Sequence, residues 1–138
     1  MSTNSIIAVK TNEGYKAIYC HNDGYPKYMY PMLRDYYGSQ EMAEALVSLG
    51  DASFIDKQLT PPKHSNHSFY NPVDGVSVFY HRDRDRGEYG KHRAPAIYPK
   101  DEVLNMQYYV YIFEDGCWNV YISRNKVDED VLEAGDIN

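Results

Sequence analysis

A chain of 138 residues fits a single domain around one core. Its formal net charge of −6 at pH 7 excludes general nucleic-acid binding, which needs cations to displace phosphate counterions, and disfavours adsorption to anionic membranes. The hydrophobic fraction is 43% although mean hydropathy is −0.65, because 15 residues are tyrosine, so several tyrosines should line surfaces or a pocket.

Ser5 to Val9 reads as a strand, Thr11-Asn12-Glu13-Gly14 as a turn, and Tyr15 to His21 as the return strand of a β-hairpin. That strand runs into Cys20-His21-Asn22-Asp23, which Gly24, Tyr25 and Pro26 break with a turn. Titratable groups at a strand end before such a turn are one way to build a site on a rigid scaffold. The structural alternative is an Asx-type turn in which Gly24 supplies a positive φ. Pro31 suits the first turn of a helix, whose face carries Met32, Leu33, Tyr36 and Tyr37 and which Gly38 ends. Ser39 reads as the N-cap of a second helix with a core stripe of Met42, Ala45, Leu46 and Leu49, stopped by Gly50.

Phe54 and Ile55 should tuck under that helix, and residues 60–72, with three prolines and two histidines, read as a long loop. Gly75 to Tyr80 reads as a strand that ends in His81-Arg82-Asp83-Arg84-Asp85-Arg86-Gly87-Glu88. Five of the fourteen Lys and Arg residues lie between positions 81 and 93. This stretch is either a solvated hairpin tip or a pocket rim whose arginine forks suit phosphate or carboxylate. Ala94 to Pro99 is extended, Lys100 to Met106 fits a helical turn, and Tyr108 to Phe113 and Cys117 to Ser123 form a hairpin about Asp115-Gly116. Trp118 should anchor the core or cross the sheet. Residues 128–138 carry five acids and no bases, a frayed or helical tail that offers a partner surface.

The order of elements predicts an α+β fold, an antiparallel β-sheet with one or two short helices on one face. Residues 1–125 form the expected single domain and 126–138 an acidic C-terminal tail. No apolar run of about 18 residues is present, so no membrane-spanning helix is expected. The start, Met-Ser-Thr-Asn-Ser, lacks the features of a signal peptide. Only Cys20 and Cys117 occur, which predicts free thiols and a cytoplasmic location.

The motifs of common nucleotide, metal and acyl-transfer enzymes are missing, and no spacing of His, Cys or acid suggests a metal or other cofactor. In a strand, Cys20 and His21 point to opposite faces, so they are not a nucleophile–base pair. His21 and Asp23 would share a face, which leaves a small hydrolase using that pair as one reading. A binding site fits the residue types better. His21, Asp23 and Tyr25 at one strand end, with Tyr80, His81, Arg82, Arg84 and Arg86 at another, would stack a base and take phosphate oxygens if the two blocks converge.

The run Ile18-Tyr19-Cys20-His21-Asn22-Asp23-Gly24-Tyr25-Pro26, then Leu33, Tyr36-Tyr37, Leu46, Leu49-Gly50-Asp51 and Ser53, resembles a family of small uncharacterised phage and prophage proteins. In that family a Y-C-H-x-D-G-Y-P block precedes two short helices, and a Y-x-R-D-R-G-E block follows. Tyr80 to Glu88 matches the second block with an Arg-Asp duplication. The resemblance implies a viral protein of the host cytoplasm that counters host defence. The expected partner is a small nucleotide-derived immune signal, bound and sequestered. The alternative is a host effector protein, engaged through an acidic surface as an anti-CRISPR would. A homo-oligomer is compatible with either.

Overall fold

β1 (Ser5–Thr11) and β2 (Gly14–Cys20) pair antiparallel from Thr11↔Gly14 to Ser5↔Cys20, and Gly14 makes the turn at φ 137°. The computed structural model describes residues 2–85, 94–135 and 137. Alternation along β1 sends Ile7 and Val9 to one face of the sheet and Ile6 and Ala8 to the other.

Helix α1 (Pro26–Tyr36) begins earlier than the pattern predicts. Pro26 takes the first helical position, where its missing N–H costs nothing, and Pro31 lies inside the helix instead. Lys27 is exposed, so water can serve the carbonyl that Pro31 leaves without a donor. Helix α2 (Gln40–Val47) has the expected cap, with Ser39 Oγ accepting from Met42 N at 3.1 Å. Its buried stripe is shifted, however. Ala43, Leu46 and Val47 are buried, while Met42 is 37% exposed and Ala45 is exposed. The helix ends at Val47, so Leu49 falls outside its phase and Leu46 with Val47 sets the packed face.

The remaining elements are β3 (Ala52–Phe54), β4 (Val78–Phe79), β5 (Ala96–Tyr98), α3 (Lys100–Leu104), β6 (Tyr109–Glu114), β7 (Cys117–Ile122), β8 (Asn125–Lys126) and α4 (Glu129–Ala134). Among the described residues the strands form one sheet in the order β4-β3-β2-β1-β6-β7-β8, with β5 paired to the edge of β2. β1 with β6 and β2 with β3 run parallel, and the other pairs are antiparallel. The expected α+β class, with a mostly antiparallel sheet, is therefore borne out. The strand expected over residues 75–80 shrinks to Val78–Phe79, and a π-helical turn, Tyr80–Arg84, replaces the hairpin tip.

α1, α2 and the Leu132 end of α4 cover the face that carries Ile7, Ile18, Tyr111, Phe113 and Trp118. Trp118 Nε1 donates to Tyr37 O at 2.9 Å, which ties β7 to the end of α1. Val103 and Leu104 of α3 cover the other face, over Ile6, Ala17, Val110 and Tyr121. The acidic C-terminal segment docks through α4. Asp128 caps the helix by accepting from Asp130 N at 2.8 Å, and Glu133 accepts from Tyr30 Oη at 2.6 Å and from Arg34 at 3.1 Å. No helix among the described residues is long and apolar enough to cross a membrane.

Candidate functional site

The short strand β3 positions both polar blocks. On one side Cys20 pairs with Ala52, so His21 N donates to Ala52 O at 3.0 Å and Asn22 N to Ser53 O at 2.9 Å. On the other side Ala52 pairs with Phe79, and Tyr80 N donates to Asp51 O at 3.1 Å. The two blocks thus flank one strand, two strand spacings of about 4.8 Å apart.

Within the first block, His21 faces Tyr19 rather than Asp23. Tyr19 Oη and His21 Nδ1 share a 2.7 Å hydrogen bond, and Ser2 Oγ lies 3.2 Å from Nε2. Asp23 is exposed and adopts φ 56°, which ends the strand alternation that would have put it beside His21. No hydrogen bond joins His21 to Asp23, so the dyad required by the hydrolase reading is not formed. The positive φ belongs to Asp23 and not to Gly24. Gly24 is required instead by a close approach, since a Cβ there would sit 2.6 Å from Ser5 Cβ and 2.9 Å from Thr3 O. Tyr25 serves as the N-cap residue of α1, its carbonyl accepting from Met29 N at 2.9 Å, and its ring lies 6.2 Å from that of Tyr28. Cys20 is fully buried, and burial pushes its thiol up to about 12.

Within the second block the π-helical turn separates the arginines. Arg82 turns inward. Its Nε donates to Asp83 Oδ1 at 2.7 Å, Nη1 to Leu59 O at 2.6 Å, and Nη2 to Ser77 O and Asp83 Oδ2 at 3.0 Å each. Asp83, 4% exposed at its side chain, also accepts from Phe79 N at 2.8 Å and lies 3.3 Å from His67 Nε2. His67 Nδ1 accepts from Val73 N, so Nε2 carries the proton and donates. Arg82 is therefore a clamp on the loop before β4, not a pocket rim. Nothing in the sequence singled out His67 beyond its place in a Pro-rich loop.

Arg84 has the same side-chain exposure as Arg82, 26%, but bonds no backbone carbonyl among the described residues. Its Cζ lies 4.6 Å from the Tyr80 ring centroid and 5.6 Å from that of Phe69, and its Nε donates to Asp85 at 2.7 Å. That hydrogen bond from Arg84 to Asp85 raises the guanidinium's pKa further. Tyr80 is 5% exposed, and burial pushes its phenol up. Burial also pushes up the phenol of Tyr19, and the neighbouring Tyr80 and Asp51 add to the effect. His81 is half-buried on the same turn. Arg86 lies outside the described residues.

Tyr19 and Asp51 open onto a hollow of about 150 Å³ whose walls include Ala17, Tyr98 and Met106. Tyr19, Asp51, Ser53, Phe69 and Tyr98 were not among the expected site residues. Asp51 and Ser53 were visible only in the L-G-D-x-S part of the resemblance. Larger grooves lie elsewhere, one of about 570 Å³ beside α4 and one of about 720 Å³ between the β1–β2 turn and α2. Among the described residues no three His, Cys, Asp or Glu side chains gather as a metal would require.

Comparison with known protein families, curated proteins and solved structures finds no match.

Proposed function

We propose that this chain binds a small nucleotide-derived molecule and sequesters it without turning it over. One observation carries the reading. Tyr19 near the end of β2 and His21 just after it, joined by a hydrogen bond, and Tyr80 and Arg84 on the π-helical turn, with the guanidinium over the phenol ring, flank the same short strand. The residue types suit such a ligand: tyrosine rings stack on bases, and a guanidinium and an imidazole bond phosphate oxygens. The absence of a bonded His21–Asp23 pair removes the feature that favoured hydrolysis. In the phage setting that the resemblance implies, the molecule is an immune signal and its capture is counter-defence. Equilibrium dialysis of the purified protein against labelled cyclic dinucleotides and ADP-ribose derivatives tests this. Retention of at least one at micromolar protein, lost in the Arg84→Ala variant, is expected; no retention across the panel would overturn it.

A second reading has its own support. Glu129 and Asp130 on α4 carry no ion pair among the described residues, and they line the 570 Å³ groove whose floor includes Tyr30 and Trp118. A basic segment of a host effector protein would fit there, as in an anti-CRISPR-like protein. Co-purification of an effector, abolished by Glu129→Gln with Asp130→Asn, would favour this reading over the first.

A further inference from the structure

The hollow at Tyr19 is too small for a whole nucleotide. At about 150 Å³ it admits one ring system, well below the several hundred cubic ångströms of a site that encloses a full ligand. The rest of a bound nucleotide must lie outside it, and the backbone of one wall residue leads to a cluster of aromatic side chains. The backbone carbonyl of Asp51, in the wall of the hollow, accepts the N–H of Tyr80 at 3.1 Å. Arg84 lies over the Tyr80 ring and also faces Phe69, whose ring centroid is 5.6 Å from that of Tyr80. Tyr70 stands edge-on to Phe69 at 5.1 Å and is 83% exposed.

Two features of this cluster need an explanation. A tyrosine so exposed has lost chain freedom to sit against Phe69 without gaining burial in return. Asp85 engages Nε and, at 3.4 Å, Nη2 of Arg84, and no hydrogen bond from Nη1 is formed among the described residues. Arg84 contacts both the Tyr80 and Phe69 rings, and a guanidinium beside them suits a phosphate.

We infer that the ligand is a dinucleotide, two bases joined through phosphate, with one base in the Tyr19–Tyr98 hollow, the phosphates at Arg84, and the second base on the Phe69–Tyr70 step. This rests on the proposed nucleotide-binding function and narrows it. Stacking on an exposed aromatic ring is tolerant of base identity, so the step selects for a second ring rather than for a sequence. A ligand with one base, such as AMP or ADP-ribose, leaves the step empty.

Competition dialysis decides the matter, with AMP and ADP-ribose as one-base probes and cyclic di-AMP, cyclic di-GMP and NAD as two-ring probes. Wild-type protein is expected to hold at least one two-ring probe about tenfold or more tightly than either one-base probe. Tyr70→Ala, which removes a side chain the fold does not bury, is expected to erase that advantage and to leave one-base affinity unchanged. If the one-base probes bind as tightly as the two-ring probes, or if Tyr70→Ala leaves the advantage intact, the dinucleotide inference fails while nucleotide binding stands. If no probe is retained by the wild type, both fail.

Discussion

Arg82 and Arg84 are two residues apart and were indistinguishable as ligand contacts by residue type, yet they should behave oppositely on mutation. Arg82→Ala removes four hydrogen bonds, two of them to a carboxylate that is 4% exposed. Asp83 would keep only the Phe79 N–H and His67 for compensation. Breaking a buried ion pair from one side costs about 3–5 kcal/mol, because the remaining charge stays buried. The guanidinium is 26% exposed, so water recovers part of this and the low end, about 3 kcal/mol, applies. With a urea m-value of about 2 kcal/mol/M, the unfolding midpoint should fall by roughly 1.5 M. The single tryptophan, Trp118, lies in the core and reports unfolding by fluorescence. Arg82→Lys should rescue little, since one ammonium cannot span Leu59 O, Ser77 O and both Asp83 oxygens. Arg84→Ala loses one partly exposed pair and its contacts with the Tyr80 and Phe69 rings and should cost about 1–2 kcal/mol. In the folded state Arg82→Ala should bind ligand nearly normally, whereas Arg84→Ala should not. A midpoint shift below about 0.5 M for Arg82→Ala would refute the clamp.

Other consequences follow from single contacts. Gly24→Ala should destabilise by about 2 kcal/mol or more in the same urea assay, because its Cβ would overlap the Ser5 side chain and the Thr3 carbonyl oxygen; a change within about 0.5 kcal/mol would mean the approach is looser than described. Burial works against ionisation of Glu114, but its hydrogen bonds from Lys100 and Tyr15 outweigh it and hold the carboxyl below its ordinary value. A depressed folded value means stability that is complete above the ordinary pKa of 4.5 and lost as pH falls through the folded value. Thermal melts between pH 6 and pH 3 should therefore show a drop that Glu114→Gln flattens, at a cost of about 1–2 kcal/mol near neutrality. A thiol reagent applied to native protein at pH 8 should label the exposed Cys117 and spare Cys20; labelling of both without denaturant would contradict the packing around Cys20.

Local features of the fold were legible in the chain, because turns and caps are chosen by a few adjacent residues. The Asp115-Gly116 hairpin is one, with both residues at positive φ, 58° and 82°, as a two-residue turn of this kind demands. The Ser39 cap is another. The parallel pairing of β1 with β6 was not legible, since it joins strands about a hundred residues apart and leaves no local mark. The phase of α2 was missed because Met42 and Ala45 fit a helical stripe as well as Ala43 and Val47 do, and only the sheet decides between them. At the site, residue types were readable but directions were not. The π-helical turn aims Arg82 at the carbonyls of Leu59 and Ser77 and Arg84 at the Tyr80 and Phe69 rings, and a one-residue change in helical register is invisible in an alternating Arg-Asp run. The resemblance marked Asp51 and Ser53, yet it took the β2–β3–β4 pairing to bring them between the two blocks.

The most direct test of ligand capture at this end of the sheet is to map backbone amide shifts of the labelled protein by NMR as a retained dinucleotide is added. Shifts are predicted at residues 19–21, 51–53, 69–70 and 80–84, with the α4 groove unaffected. Shifts confined to residues 117–119 and 126–133, with the β2–β3–β4 end silent, would contradict the account.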